Sequence, residues 1–362
     1  MMTGKAETSG KRKAIKVIRR ILILIAAAVA AVLVYYTARE YRPENTQELE
    51  TGSGTRQLSP GDSLSVLTWN TGYAGLGEDE DFFMDGGSKV RPDSADVVEE
   101  NLKGICSILQ GQEADVLFLQ ELDRNARRSY HVDELAWYED ALGMDGSFAY
   151  NYKCDFVPYP WPPIGRVEAG IATLTDYQMS GAARIALPES FRWPVKTCNL
   201  KRCMLEVRIP VEGTDRELVL INFHLEAYDS GEGKAAQSAV LAEKLTEEYE
   251  KGNYVIAGGD FNQTFDGIEA YPIHNKEDWV PGVYEEADIP EGFSLQAAQN
   301  VPTCRLLNAP YSGNYEDSQV YVIDGFLISE NLSVGRIENI DTEFEYSDHQ
   351  PVRLEVTLKE DM

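Results

Sequence analysis

The sequence predicts a mixed α/β (α+β) domain of packed sheets behind one N-terminal membrane helix. Three observations carry this. Apolar runs of strand length outnumber helical ones and often follow each other without a long crossover, which favours packed sheets over a doubly wound Rossmann sheet. No GxGxxG or P-loop motif and no repeat of solenoid length is present. One eighteen-residue stretch near the N-terminus carries no charge at all.

Residues 1–20 form a basic segment, with seven basic side chains and one acid. Residues 21–38 (ILILIAAAVAAVLVYYTA) follow, bounded by Arg20 and Arg39. At about 1.5 Å per residue they cross most of a ~30 Å hydrocarbon core, and Tyr35 and Tyr36 fall where an aromatic belt lies. Lys11, Arg12, Lys13, Lys16, Arg19 and Arg20 all precede the run. By the positive-inside rule this is a single-pass anchor in the cell membrane, with a cytoplasmic N-terminus and an extracellular body. A cleaved signal peptide is the alternative: Ala28 and Ala30 offer an A-x-A-like site, though in mid-run. Residues 39–61 are polar and turn-rich and read as a tether.

The body spans residues 62–358. Strands are expected at 64–70, 114–121, 169–175, 203–210, 217–224, 254–260, 320–329 and 352–358, with helices over 97–109 and 234–249. Cysteine says little. The five form no CxxC or zinc spacing, and a Cys198–Cys203 bridge competes with unpaired buried thiols.

Charge narrows the function classes. The net charge is −27, and with a basic N-terminus the remaining chain carries about −33. Such a body repels polyanions, whereas nucleic-acid binders gain most of their affinity from basic phosphate contacts. It suits a protein that collects divalent cations. No oligomerisation signal stands out, so a monomer is expected.

Polar residues fall at the ends of the apolar runs. Asn70 ends LSVLTWN, Glu121 ends VLFLQE, His224 ends VLINFH and Asp260 ends VIAGGD, while Asp324 interrupts VYVIDG. Asn262 lies two residues past Asp260, and Asp348-His349 sits in the loop before the last strand. Each alone has a bland explanation, because Asp and Asn after a strand are commonly turn residues. The five strand-end residues and the two of the final loop together would need seven accidents. Strand ends of one layer converge on one rim, where α/β folds assemble sites. Gly258-Gly259 allow close approach of the backbone to a ligand. Carboxylates with Asn and His, and without Cys, suit Mg²⁺ or Mn²⁺. An aspartate can serve as general base and a His–carboxylate pair can stabilise phosphoryl oxygens. No GxSxG nucleophile motif is present, so direct attack by water is expected.

At these residues the chain resembles the endonuclease/exonuclease/phosphatase superfamily, the DNase I-like phosphoesterases. The matching pieces are TWN (68–70), LQE (119–121), NFH (222–224), GGDFN (258–262), IDG (323–325) and SDH (347–349), in the family's order. The resemblance implies a four-layer α/β sandwich. It implies that Glu121 is the main metal ligand, with Asn70 and Asp348 close to the metal or phosphate. Asp260 would activate the water, Asn262 would bind phosphate, His349 would pair with Asp324, and His224 would contact phosphate from the other side. Glu168 resembles the carboxylate that orients this second His in the DNase I branch.

Two segments depart from the family pattern: the acidic insertion 72–93 and the aromatic, proline-rich loop 150–166. Both are expected to wall the substrate cleft. Lys153, Arg166, Lys201, Arg202 and Arg305 are candidate phosphate contacts. The expected activity is metal-dependent hydrolysis of a phosphate ester of a small molecule or lipid headgroup. The alternatives are a membrane-anchored extracellular nuclease, which needs a basic track beside the cleft, and a binding module that has lost activity.

Overall fold

The computed structural model describes residues 3–228 and 231–360, with side chains from residue 14 onward. Lys11, Arg12 and Lys13 of the basic cluster thus lie outside the described side chains. Helix α1 (Thr3–Arg39) takes in both the basic segment and the apolar run, and the stretch Ala14–Arg39 is long and apolar enough to cross a membrane.

The body then runs through β1 (Thr46–Glu48), β2 (Ser63–Asn70), α2 (Ala95–Gln112), β3 (Val116–Asp123), α3 (Glu134–Leu142), β4 (Gly146–Val157) and β5 (Gly165–Thr175). It continues through β6 (Gly181–Ala186), β7 (Cys203–Pro210), β8 (Glu217–His224), α4 (Glu232–Glu250) and β9 (Tyr254–Asp260). Short pairs, β10 (Gln263–Phe265) with β11 (Gly282–Tyr284) and β13 (Cys304–Arg305) with β14 (Val320–Tyr321), stand on either side of β12 (Phe293–Gln296). The chain closes with β15 (Asp324–Ser329), β16 (Leu332–Asn339) and β17 (Val352–Leu358).

Two sheets form, ordered β1-β6-β7-β8-β9-β15-β12 and β16-β17-β2-β3-β5-β4. Strand periodicity builds the layers. Val66, Phe118, Leu205, Leu220 and Ile256 face the other sheet in the central core. Their neighbours point outward: Leu67 and Leu117 meet Val98 and Leu102 of α2, while Val219 and Val255 meet Leu241 and Leu245 of α4. Helix, sheet, sheet, helix is the expected four-layer sandwich. Each helix is the crossover between a parallel pair, β2–β3 and β8–β9.

Four local expectations differ. Residues 39–61 are laid on the domain rather than free. β1 pairs with β6, Leu58 is fully buried in the central core, and Glu40 bonds Lys201 at 3.0 Å. Residues 150–166 are mostly a hairpin, β4 and β5, with only its tip irregular. The run 320–329 breaks in two, and Asp324 opens β15 instead of ending a strand; because β15 is antiparallel to β9, its start lies on the same rim as the end of β9. Gly258 and Gly259 serve packing: a Cβ on Gly258 would lie 2.3 Å from the Phe326 ring, and one on Gly259 (φ +149°) would lie 1.9 Å from the Phe223 carbonyl oxygen. All five cysteines are free; Cys203 sits in the central core, whereas Cys198 packs with Cys154 in a separate cluster.

Candidate active site

Register does most of the assembly. In the seven-stranded sheet His224 is paired with Asp260 across β8–β9, and Asp260 with Asp324 across β9–β15. Three polar side chains therefore lie in one row. In the other sheet Asn70 ends β2 beside Gln120, and Glu121 follows at an irregularity in the β3–β5 pairing. Glu121 has φ +57°, a left-handed conformation costly for a residue with a Cβ. Such strain persists where the surroundings hold it, and it commonly marks a functional position.

Asn70 links the two sheets. Its amide nitrogen donates to Glu121 Oε1 at 3.2 Å and to Asp260 Oδ2 at 3.1 Å. The loop carrying Asp348 and His349 is pinned from below: Trp69 Nε1 donates to the His349 carbonyl at 2.8 Å, and Ser347 Oγ to the Asn70 carbonyl at 2.8 Å. His349 Nδ1 lies 2.9 Å from Asp324 Oδ2, and its Nε2 lies 3.7 Å from Asp260 Oδ2. His224 Nε2 approaches the same Asp260 oxygen at 3.3 Å. The Asn262 backbone N–H donates to Asp260 Oδ1 at 2.8 Å, while its side-chain amide donates to the Leu225 carbonyl at 2.9 Å.

Electrostatics separates the two imidazoles. Burial disfavours charge on His349, but Cys304, Asp324 and Asp260 raise its pKa well above the ordinary value. Burial itself holds the Cys304 thiol up to about 12, so at neutral pH the carboxylates carry the effect. His224 goes the other way: burial, then Arg202, His349 and Arg128, hold it neutral. Since a carboxylate only accepts, the proton of His224 belongs on Nε2. Its Nδ1 is buried without a hydrogen-bond partner among the described residues. Burial pushes Asp260 up to about 7, with the His349 cation opposing and Asp324 adding.

Two groups could hold a cation. Donor atoms of Asp260, Asp324 and His349 lie within 4.8 Å of one another. Asp324 Oδ2 is already engaged by His349, so this set reads as an acid–base cluster. Glu121, Asp348 and Asn70 fit a hard divalent ion better. Asp348 is pushed up to about 7 by burial, with His349 opposing and Glu121 adding to the rise. A bound cation would relieve the repulsion that Glu121 exerts on the charge of Asp348.

Among the basic candidates Arg202 and Arg305 line the cavity, and of the two Arg202 bonds a residue of the cluster through its side chain. Its guanidinium donates to the His224 carbonyl at 3.2 Å and lines the cleft. Arg305 is turned to its own chain, donating to the carbonyls of Gly77 (2.7 Å), Glu80 (3.1 Å) and Ala309 (3.2 Å), and so holds the acidic insertion in place. Lys201 bonds Glu40 and Glu189, and Lys153 lies over the Tyr150 ring. Glu168 does not orient His224. It accepts from Arg166 at 2.5 Å on the outward face of β5, since strand alternation turns 166 and 168 away from the buried Val167 and Ala169.

Both segments outside the family pattern wall the cleft, through Phe82, Phe83 and Met84 and through Val157, Pro158 and Tyr159. The cavity also holds residues that sequence reading missed. Asp85 accepts from the Tyr228 hydroxyl at 2.8 Å, and both line the cavity. Arg128 lines it too, bonded to Asp123 at 3.0 Å and stacked 3.7 Å from the Tyr73 ring centre. Arg128 follows Glu121 by seven residues, a proximity that was its only signal; Asp85 had none apart from its acidic neighbours.

The profile of the Endonuclease/Exonuclease/phosphatase family matches residues 67–349. No curated protein matches the chain. Among solved structures, an endonuclease/exonuclease/phosphatase from Beutenbergia cavernae is similar at 18% identity and TM-score 0.57, covering 82% of this chain and 72% of that one. One from Bacteroides vulgatus aligns at 15% and 0.53, covering 82% and 100%. The human Nocturnin catalytic domain, solved with bound sulfate, aligns at 17% and 0.52, covering 84% and 97%. These likenesses show the fold.

Proposed function

The chain belongs to the endonuclease/exonuclease/phosphatase family, hydrolases acting on phosphate esters, and on that premise we propose that it is a divalent-metal-dependent phosphoesterase using direct attack by water. The observation that supports this reading most is the convergence on Asp260, whose Oδ2 is approached by Asn70, His224 and His349 beside the Glu121–Asp348 pair.

Asp260 is the general base. A carboxyl pushed up to about 7 still ionises at neutral pH and takes a proton from water more readily than an ordinary aspartate. Asn70 and neutral His224 donate to it and hold its orientation. Imidazolium His349, kept charged by Asp324, binds a phosphoryl oxygen and stabilises the charge that develops there. Asn262 has a second amide hydrogen for phosphate, and Arg202 stands at the rim to receive the same anion. Glu121, Asp348 and Asn70 would hold Mg²⁺ or Mn²⁺, which when bound neutralises non-bridging and leaving oxygens.

The substrate is a phosphate ester of a small molecule or lipid headgroup, and the domain faces outward as a monomer anchored by α1. Nucleic acid is disfavoured, since Arg166, Lys201 and Arg305 are engaged within the chain instead of forming a basic track. The test uses the full chain in nonionic detergent with Mg²⁺, Mn²⁺ or EDTA. The panel is bis-p-nitrophenyl phosphate, p-nitrophenyl phosphate, sugar phosphates, sphingomyelin and plasmid DNA. Hydrolysis of a non-nucleic ester that stops with EDTA and returns with Mg²⁺ is expected. Activity indifferent to chelation, or confined to DNA, would contradict it.

A further inference from the structure

The catalytic residues share a cavity of about 680 Å³ with the apolar N-terminal helix. Glu121, Asp260 and His349 line it, and so do Val32, Leu33 and Tyr36 of α1. Much of the remaining wall is apolar: Phe83 and Met84 from the acidic insertion, Val157 and Ile164 from the β4–β5 hairpin, and Phe191 and Val195 from the segment before β7. Bare phosphate chemistry needs none of this. A cavity of this size encloses a whole small molecule, and its apolar length fits hydrocarbon.

The end of the helix is fixed to the domain. Arg39 Nε donates to Asp155 Oδ2 at 2.6 Å, and Trp193 Nε1 donates to Thr37 Oγ1 at 3.0 Å. Tyr36 packs into the cluster of Val157, Cys154 and Val167. Leu33 precedes Arg39 by six residues, which at 1.5 Å each is about 9 Å along the helix. With Arg39 at the headgroup level, the helix side of the cavity lies at acyl-chain depth. Beside it stand exposed large side chains that water does not favour, Tyr159 at 71% and Trp193 at 54%, and Trp161, at the tip of the same hairpin as Tyr159, is 90% exposed. Trp and Tyr in such positions are residues of a membrane interface.

We propose that the substrate is a membrane lipid bearing the phosphate ester, which enters from the adjacent leaflet beside α1 with its headgroup at Asp260 and its hydrocarbon in this groove. The proposal rests on the phosphoesterase reading and adds the substrate class to it. Hydrocarbon in the groove covers apolar wall that a sugar phosphate would leave wet. The helix thereby becomes one wall of the binding site as well as an anchor.

The experiment uses full-length protein in mixed micelles of a nonionic detergent. Each preparation holds one of phosphatidylcholine, phosphatidylglycerol, phosphatidic acid, sphingomyelin or a polyprenyl phosphate, with bis-p-nitrophenyl phosphate assayed alongside. Hydrolysis of at least one lipid is expected. Tyr159→Glu and Val195→Glu, both at exposed cavity-lining positions, should each lower the lipid-to-soluble rate ratio tenfold or more, with circular dichroism checking that each variant is folded. Soluble ester cleaved with every lipid spared overturns the lipid proposal and leaves the phosphoesterase standing. A ratio unchanged in both variants also overturns it. Failure on soluble and lipid esters alike removes the phosphoesterase reading and this proposal with it.

Discussion

Asp260 is held by four donors or cations, and each has a separable effect. Asp324 acts through His349, 2.9 Å away. Asp324→Asn removes a carboxylate that raises the His349 pKa, so the imidazolium is lost at lower pH. The expected outcome is a rate about ten- to a hundredfold lower, with the alkaline limb of the pH–rate profile displaced toward lower pH. An unmoved limb would show that the pair does not set the charge of His349. Gly259→Ala tests the backbone. At φ +149° with a carbonyl oxygen 1.9 Å from the added Cβ, the strands β8 and β9 must part, and a loss above about 3 kcal/mol is expected by denaturant melts. The glycine pair was legible in the sequence as a place of close approach. That the approaching group is Phe223 or Phe326 was not, because it depends on strand register.

Elements were legible where chemistry and period agreed. Apolar runs ending in Asn70, Glu121, His224 and Asp260 marked both the strands and the rim. Residues 39–61 failed this test, since Leu58 is a lone hydrophobe among polar neighbours and β1 is held by pairing with β6 rather than by its composition. Glu168 was misread because motif position says nothing about which face of β5 it takes. A body starting at residue 55 lacks β1 and the Glu40–Lys201 bond and bares the edge of β6. Its Tm should fall below that of a body starting at residue 40 by about 2–4 °C for each kcal/mol lost; equal melting would mean that residues 40–54 add nothing. Buried Glu248 ties α4 to the sheet, accepting from Arg208 (2.6 Å), Lys244 (2.7 Å), Lys251 (2.8 Å) and Asn253 (2.9 Å). Burial would raise its pKa, but the Arg208, Lys244 and Lys251 bonds lower it below the ordinary 4.5. The stabilisation is therefore present above about pH 4.5 and is lost as pH falls toward the folded value. Glu248→Gln should cost about 2 kcal/mol at pH 7, with the difference from wild type narrowing in acid.

At the scale of the molecule, a four-layer sandwich brings two sheets together so that the rim of one supplies Asn70 and Glu121 and the rim of the other supplies His224, Asp260 and Asp324. Arg39, Trp193 and Glu40 fasten the end of the apolar helix to the domain, and in the proposed reading this turns the rim toward the bilayer. Protease added to intact cells should remove the body, and full protection would contradict the outward orientation. The central claim is that the Asp260 cluster hydrolyses phosphate esters, and one measurement tests it most directly: the rate on bis-p-nitrophenyl phosphate at saturating Mg²⁺ for wild type, Asp260→Asn and His349→Ala, each checked for native melting. A loss of at least about a hundredfold in both variants, some 3 kcal/mol of transition-state stabilisation, is the result expected. A correctly folded Asp260→Asn protein that turns over at the wild-type rate would contradict the account.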